Sequence, residues 1–205
     1  MEERVAKTLE GLKRNHMTGY FLESRNPLLQ LIESLAPRGQ TIGCGDSATL
    51  QELGVFDFFR SGGYNFLDKF RPGLTHEEKR ALYIANFSAD TFISGANAIT
   101  QGGQIVNIDG NGSRVAPTIY GPRQVIFVAG VNKIADSLEE AMARARNVAA
   151  PLDARRLGKG TPCENLGRCI DCHHQSRICN SFVTISGQFD PDRIKVILVN
   201  EPLGY

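Results

Sequence analysis

From Gln124 to Ala129 the chain runs through QVIFVA, an apolar run bounded by Pro122 and Gly130. A stretch this short and this free of polar residues, rich in β-branched side chains, predicts a strand buried on both faces. Such strands occur in parallel sheets covered above and below, so this run constrains the fold more than any other segment. The segments around it agree. Val5, Leu9 and Leu12 share a helical face in residues 1–16, followed by a short β-like run Gly19–Leu22. Asn26 caps a second helix, with Pro27 in its first turn and Leu28, Leu31, Ile32 and Leu35 as its apolar face, and Pro37 to Gly39 stop it. Thr41 and Ile42 read as a strand, and the loop Gly43–Ser47 leads into a helix from Ala48 to Leu53. Thr75 and Glu78 form a capping box for a helix reaching about Phe87. Ala89 to Ser94 is a strand, Gly102 to Asp109 a hairpin-like stretch, and Arg114 to Tyr120 a short helix. Ser137 with Glu140 caps a long helix ending near Ala150, and Phe182–Ile185 and Ile194–Val199 supply two late strands. Alternation of this kind predicts an α/β fold, a largely parallel sheet with helices on both faces.

With 205 residues, 41% of them hydrophobic, the chain suits one well-packed domain over residues 1–205. A net charge of +1 gives no global field drawing it to nucleic acid or an anionic membrane. No apolar stretch is long enough to cross a bilayer, and the charged N-terminal segment lacks the apolar core of a secretory signal, so a cytoplasmic protein is expected. The local basic group Arg144, Arg146, Arg155, Arg156 and Lys159 reads as cations complementing a helix C-terminus.

Two Gly-rich loops fall where ligands of a parallel sheet gather, past the carboxyl ends of strands. In the first, Gly43 and Gly45 permit close backbone approach, and Ser47 and Thr49 offer hydroxyls beside unpaired N–H groups, a pattern suited to an anion. Cys44 reads as a packed thiol or a nucleophile with lowered pKa, and Asp46 as an N-cap or a ligand group. The second loop gathers Asn97, Asn107, Asp109, Asn111 and Arg114 among five glycines. Turn chemistry and a binding site account for it equally well.

Four of the five cysteines, Cys163, Cys169, Cys172 and Cys179, lie within 17 residues as C-x5-C-x2-C-x6-C. Clustered thiolates are the soft donors of zinc and iron–sulfur centres, and in a reducing compartment a metal is expected over disulfides. The spacing matches neither a paired zinc ribbon nor a ferredoxin run, so both metals remain open for the loop at 160–181. His173 and His174 read as solvated loop residues or as zinc ligands.

The stretches GCGDSATLQELG, YNFLD, GANAITQGGQIVNIDGNGSRVAP, YGPRQVIFVAGVNKI, RNVAAPLDARRLG and TPCENLGRCIDCHHQSRICN closely resemble the LUD domain, or lactate utilization protein, family in its small, cysteine-bearing form. The resemblance implies a fold like that of ribose-5-phosphate isomerase, glucosamine-6-phosphate deaminase and the CoA transferases. It also implies a setting in lactate or related organic-acid oxidation with an iron–sulfur partner protein, which favours an iron–sulfur cluster over zinc. GANAITQGGQIVN further looks like the loop of the methylthioribose-1-phosphate isomerase and initiation factor 2B group. Asn97 stands where that loop carries aspartate, and a carboxamide cannot act as acid or base. The glutamate loop of a CoA transferase nucleophile is not found. Three functions follow as expectations. The first is a protein binding a small anionic metabolite through Gly43, Gly45, Ser47, Thr49, Asn97, Asp109, Asn111 and Arg114 beside a four-cysteine metal centre. The second is a sugar-phosphate isomerase-like enzyme with Asp109 as base and Cys44 or a bound metal assisting. The third is a metal- or redox-dependent regulatory module without catalysis.

Overall fold

The computed structural model describes residues 2–205. Its strands are β1 (Thr18–Leu22), β2 (Thr41–Cys44), β3 (Asn65–Phe66), β4 (Thr91–Gly95), β5 (Ala98–Thr100), β6 (Ile105–Asp109), β7 (Gln124–Gly130), β8 (Ile134–Ala135), β9 (Ser181–Ile185) and β10 (Ile194–Val199). The helices are α1 (Glu3–Arg14), α2 (Leu28–Leu35), α3 (Ala48–Glu52), α4 (Val55–Arg60), α5 (His76–Ala85), α6 (Ala116–Ile119), α7 (Leu138–Arg144), α8 (Ala150–Arg156) and α9 (Pro162–Leu166).

Six strands form one sheet in the order β1-β10-β7-β4-β2-β3, every pair parallel. β7 lies near its middle, where a run apolar on both faces has to be. Ile126 and Val128 point into a core completed by Leu28 and Ile32 of α2, Leu50 of α3, and Val55, Phe56 and Phe59 of α4. Val125, Phe127 and Ala129 point the other way, onto Val5 and Leu12 of α1 and onto Ile99, Ile105 and Ile134. The last three belong to a second sheet, β8-β5-β6-β9, in which only β8 and β5 run parallel. The α/β class and the largely parallel sheet thus hold. Helices cover one face, but α1 shares the other with this second sheet. The hairpin-like stretch and the strand at 182–185 belong to it, and its outer face packs Ala98, Val106 and Ala135 on Ala141 and Ala145.

Local chemistry accounts for most boundaries. The capping box closes reciprocally, Thr75 N donating to Glu78 Oε2 at 2.7 Å and Glu78 N to Thr75 Oγ1 at 3.2 Å. Ser137 Oγ accepts from Glu140 N, whereas the Glu140 carboxylate reaches Asp136 N instead of completing a box. Pro27, not Asn26, holds the cap position of α2. The helix expected to end near Ala150 continues to Arg156 through one π turn, Ala145–Ala149. Pro151 has no N–H for the Asn147 carbonyl, and a wider turn just before it absorbs the missing bond. Among the described residues, no helix is long and apolar enough to cross a membrane.

Helix α1 meets the second sheet at a backbone contact with no room for a side chain. A Cβ on Gly11 of α1 would lie 2.5 Å from the Gly102 carbonyl carbon and 2.7 Å from Gly103 N. Gly103 turns the β5–β6 connection at φ +81°, where L side chains are strained. Asn15 Nδ2 donates to Gly102 O at 2.8 Å, and Arg4 Nη2 to Ile134 O at 2.7 Å, fastening α1 at both ends. Gly11→Ala should therefore destabilise by about 1–3 kcal/mol through overpacking. Gly102→Ala, whose methyl meets only ordinary contacts, should stay within about 0.5 kcal/mol. Urea unfolding of the two variants checks this; equal midpoints would remove the contact from the account.

Candidate functional site

Strand order in the six-stranded sheet reverses direction at one place. From β2 the chain steps outward to β3, whereas β4, β7 and β10 advance the opposite way. The loops after β2 and β4 therefore diverge and leave a crevice at the carboxyl edge, where ligands of open parallel sheets bind. A cleft of about 660 Å³ occupies it, lined by Asp46 after β2, Lys69 and Phe70 after β3, Asn97 after β4 and the turn Asp109–Arg114 after β6. Lys79 and Tyr83 of α5, Asp153 and Arg156 of α8, Lys159, and Ser176 to Ile178 complete it. The π turn places Ala149 and Ala150 in the same wall. Lys69, Lys79, Arg114, Arg156, Lys159 and Arg177 are set against only Asp46, Asp109 and Asp153, so the lining is cationic in sum.

The second Gly-rich loop is one hydrogen-bonded unit. Arg114 donates to Asn107 Oδ1 (3.0 Å), Asn97 Oδ1 (3.1 Å), Ile108 O (2.6 Å) and, at 3.4 Å, Asp109 Oδ2. Asn97 Oδ1 also takes Ile108 N, and Asn107 Oδ1 takes Asn97 N. Asp109 Oδ1 accepts from Asn111 N (3.1 Å) and Gly112 N (2.7 Å), and Asn111 Oδ1 from Ser113 N. The polar groups of this loop build the turn, and the turn lines the cleft. Asp109 is 8% exposed, its carboxylate engaged by two backbone N–H groups and by Arg114.

The first loop is placed differently from the sequence expectation. Gly43 lies inside β2 against Asn86 and Phe92, and Gly45 packs under Ser94 and Arg114. Neither lines the cleft. Ser47, not Asp46, caps α3, its Oγ accepting from Leu50 N. α3 is only one turn or so long, and Thr49 faces away, accepting from Lys133 Nζ at 2.7 Å. Asp46 pairs with Arg156 (2.9 Å), which also holds Asp153 (2.8 Å) and donates to the Tyr205 hydroxyl (2.8 Å). Cys44 is 1% exposed, and burial pushes its thiol up to about 12, so it stays protonated and packs as a core side chain.

Four residues were not anticipated in the places they hold. Lys69 is 8% exposed, with Nζ 5.2 Å from the Phe70 ring centre and 5.6 Å from that of Tyr83. No described carboxylate lies within ion-pair distance of it, and burial lowers its pKa. Lys133 is 3% exposed, and burial, then Arg144 and Arg114, bring it down to about 7. Arg156 and Lys159, expected only to complement a helix end, line the cleft. Arg144 donates to Asn97 O and Asn132 O, and Arg155 to Glu164 O. A lysine in YNFLDK or VNKI carries no sequence mark of burial; only the fold reveals these.

The cysteines lie half-buried along the irregular segment around and after α9, all as free thiols. Cys163 Sγ sits 3.3 Å from Thr161 Oγ1, Cys169 Sγ accepts from Asp171 N, and Cys179 packs against the outer core of the second sheet. Among the described residues, no three His, Cys, Asp or Glu side chains are disposed to hold a metal ion. The donor set suits zinc or an iron–sulfur cluster by chemistry, but the sulfurs are not gathered. Arg177 ties the segment to the cleft, donating to Cys172 O (2.6 Å) and Cys179 O (2.9 Å).

A match to the LUD domain family spans residues 5–199, and the chain belongs to that family. Its fold is similar to that of a DUF162 family protein from Deinococcus radiodurans, at TM-score 0.55 and 18% identity over 96% of both chains. eIF2B beta from Chaetomium thermophilum matches at TM-score 0.33 and 17% identity, over 66% of this chain and 44% of that one. No curated protein matches.

Lys133 yields a pH prediction. From about pH 7 to 10.5 the unfolded chain keeps the proton that folded Lys133 has lost, so stability rises with pH across that window. Lys133→Met should abolish this part of the slope and be the more stable protein below it, by a few kcal/mol at most (~1.4 per pKa unit). Urea titrations of both proteins across the window measure it. Parallel pH profiles would mean that Lys133 keeps an ordinary pKa.

Proposed function

We propose that this LUD-domain protein binds a small anionic metabolite in the cleft at the strand-order reversal, in the setting of lactate or related organic-acid utilization. The observation carrying this reading is Lys69, a cation buried in the cleft wall between two aromatic rings with no carboxylate partner. A buried ammonium without a counter-charge is costly, and an anionic ligand supplies the missing partner. Arg156, Lys159 and Arg177 add to the same field, while Asn97, Asn111 and Arg114 are held rigidly enough to orient a ligand by hydrogen bonds.

We further propose that Cys163, Cys169, Cys172 and Cys179 take up a metal, an iron–sulfur cluster in preference to zinc. A cluster supplies one-electron exchange with an iron–sulfur partner protein, and zinc a structural clip. The chain's own part is to draw the four sulfurs together. Arg177 couples that rearrangement to the cleft, because it holds two cysteine carbonyls while lining the ligand site.

Calorimetric titration with lactate and with inorganic phosphate tests the first proposal. Wild type should bind at least one of these anions and Lys69→Met about 10-fold more weakly or worse, a loss of ~1.4 kcal/mol. Binding unaffected by Lys69→Met, or no binding to wild type, would overturn it. For the second, anaerobically purified protein should carry iron with sulfide, or zinc, and Cys169→Ser should lose most of it. A metal content unchanged in Cys169→Ser would sink the four-thiolate assignment.

A further inference from the structure

Off the inner end of the cleft opens a recess of about 30 Å³, at the carboxyl ends of β2, β4 and β7, which lie side by side. Asp46, Asn97, Arg114 and Asp153 line both cavities, so the recess continues the cleft inward. Its volume admits about one water, or one oxygen-bearing group of a ligand held outside it. Lys133, at the end of the short turn after β7, and Ser47, three residues past β2, line it.

Lys133 is placed unlike a structural lysine. Its one hydrogen bond within the chain goes to Thr49 Oγ1, and no described carboxylate lies within ion-pair distance. The charges acting on it most are the cations Arg144 and Arg114, with Glu52 opposing them more weakly. A lysine serving only to tie Thr49 to the end of β7 would need a counter-charge to stay ionised, and none is provided. Desolvation beside other cations is how proteins keep an amine neutral and nucleophilic near pH 7.

We propose that Lys133 is an imine-forming amine for a 2-oxo carboxylate, whose carboxylate rests on the cleft cations while its carbonyl enters the recess. This rests on the reading of the cleft as an anion site and specifies the ligand class. Nζ adds to the carbonyl carbon and the C–O bond breaks. The oxygen leaves as water carrying both amine hydrogens, and a C=N bond remains, with nothing oxidised or reduced. Ser47 Oγ accepts from Leu50 N and keeps its own hydrogen for the departing oxygen, and Arg114 Nη1 retains one N–H beyond its bond to Asn107.

Borohydride trapping with pyruvate as the probe, read by intact mass and peptide mapping, tests this. The expected result is one adduct per chain, of the acid's mass less one oxygen, on Lys133, suppressed by excess phosphate and absent from Lys133→Arg. If Lys133→Arg does not fold, the wild-type peptide map decides alone. Adducts spread over exposed lysines such as Lys7 and Lys13, or no adduct while phosphate still binds by calorimetry, overturn the proposal and leave the cleft reading standing. Neither adduct nor anion binding overturns both.

Discussion

Everything at the carboxyl edge of this molecule depends on the parallel pairing of β2, β4 and β7. Because the three strands run the same way, the loops after them emerge on one edge. Because the chain leaves β2 and β4 in opposite directions, those loops part. Burial of the central strands on both faces holds this arrangement. Phe92 and Phe127 on one face, and Ile93, Ile126 and Val128 on the other, are fully buried. Truncating one such phenylalanine costs about 3–5 kcal/mol in a well-packed core. The crevice is a consequence of topology, and the polar side chains around it occupy positions that a rigid sheet provides.

Two hydrogen-bonded groups furnish that crevice. Arg114, shared between Asn97, Asn107, Asp109 and the Ile108 carbonyl, fixes the turn after β6 against the end of β4. Arg156, shared between Asp46, Asp153 and Tyr205, fixes α8 against the end of β2. Each guanidinium is largely occupied by the protein, so both act mainly as fasteners. Lys69 and Lys133 lack anionic partners, and they are the groups left to meet a ligand, one in the wall and one at the inner end.

The fold was legible where a local pattern has a single physical solution. The apolar run of β7, the Thr75–Glu78 box and the strand–loop–helix at Thr41–Leu53 each left one outcome open. The second sheet was not legible, because β5 and β8 are too short to show a period and their partners come from distant segments. The extension of the long helix past Pro151 was hidden for a different reason. A proline ordinarily marks a helix stop, and nothing in the sequence shows that a wider turn before it would absorb the missing bond and carry the helix on. In the site, Asn97, Asp109, Asn111 and Arg114 were recognisable as an over-polar loop. The importance of Lys69 and Lys133 was invisible, since burial of a lysine is decided by what folds around it. The cysteine spacing is a strong chemical signal, yet the positions of those sulfurs depend on a segment without a core of its own.

Crystals soaked in selenate, a tetrahedral dianion visible by anomalous scattering, test most directly whether the strand-order reversal has built an anion site. The strongest anomalous peak is expected inside the cleft, within hydrogen-bonding reach of Lys69 Nζ and flanked by Arg156 or Arg177. Peaks confined to exposed lysines and arginines, with the cleft empty at saturating selenate, would contradict the assignment and return Lys69 to the status of a buried charge without a function.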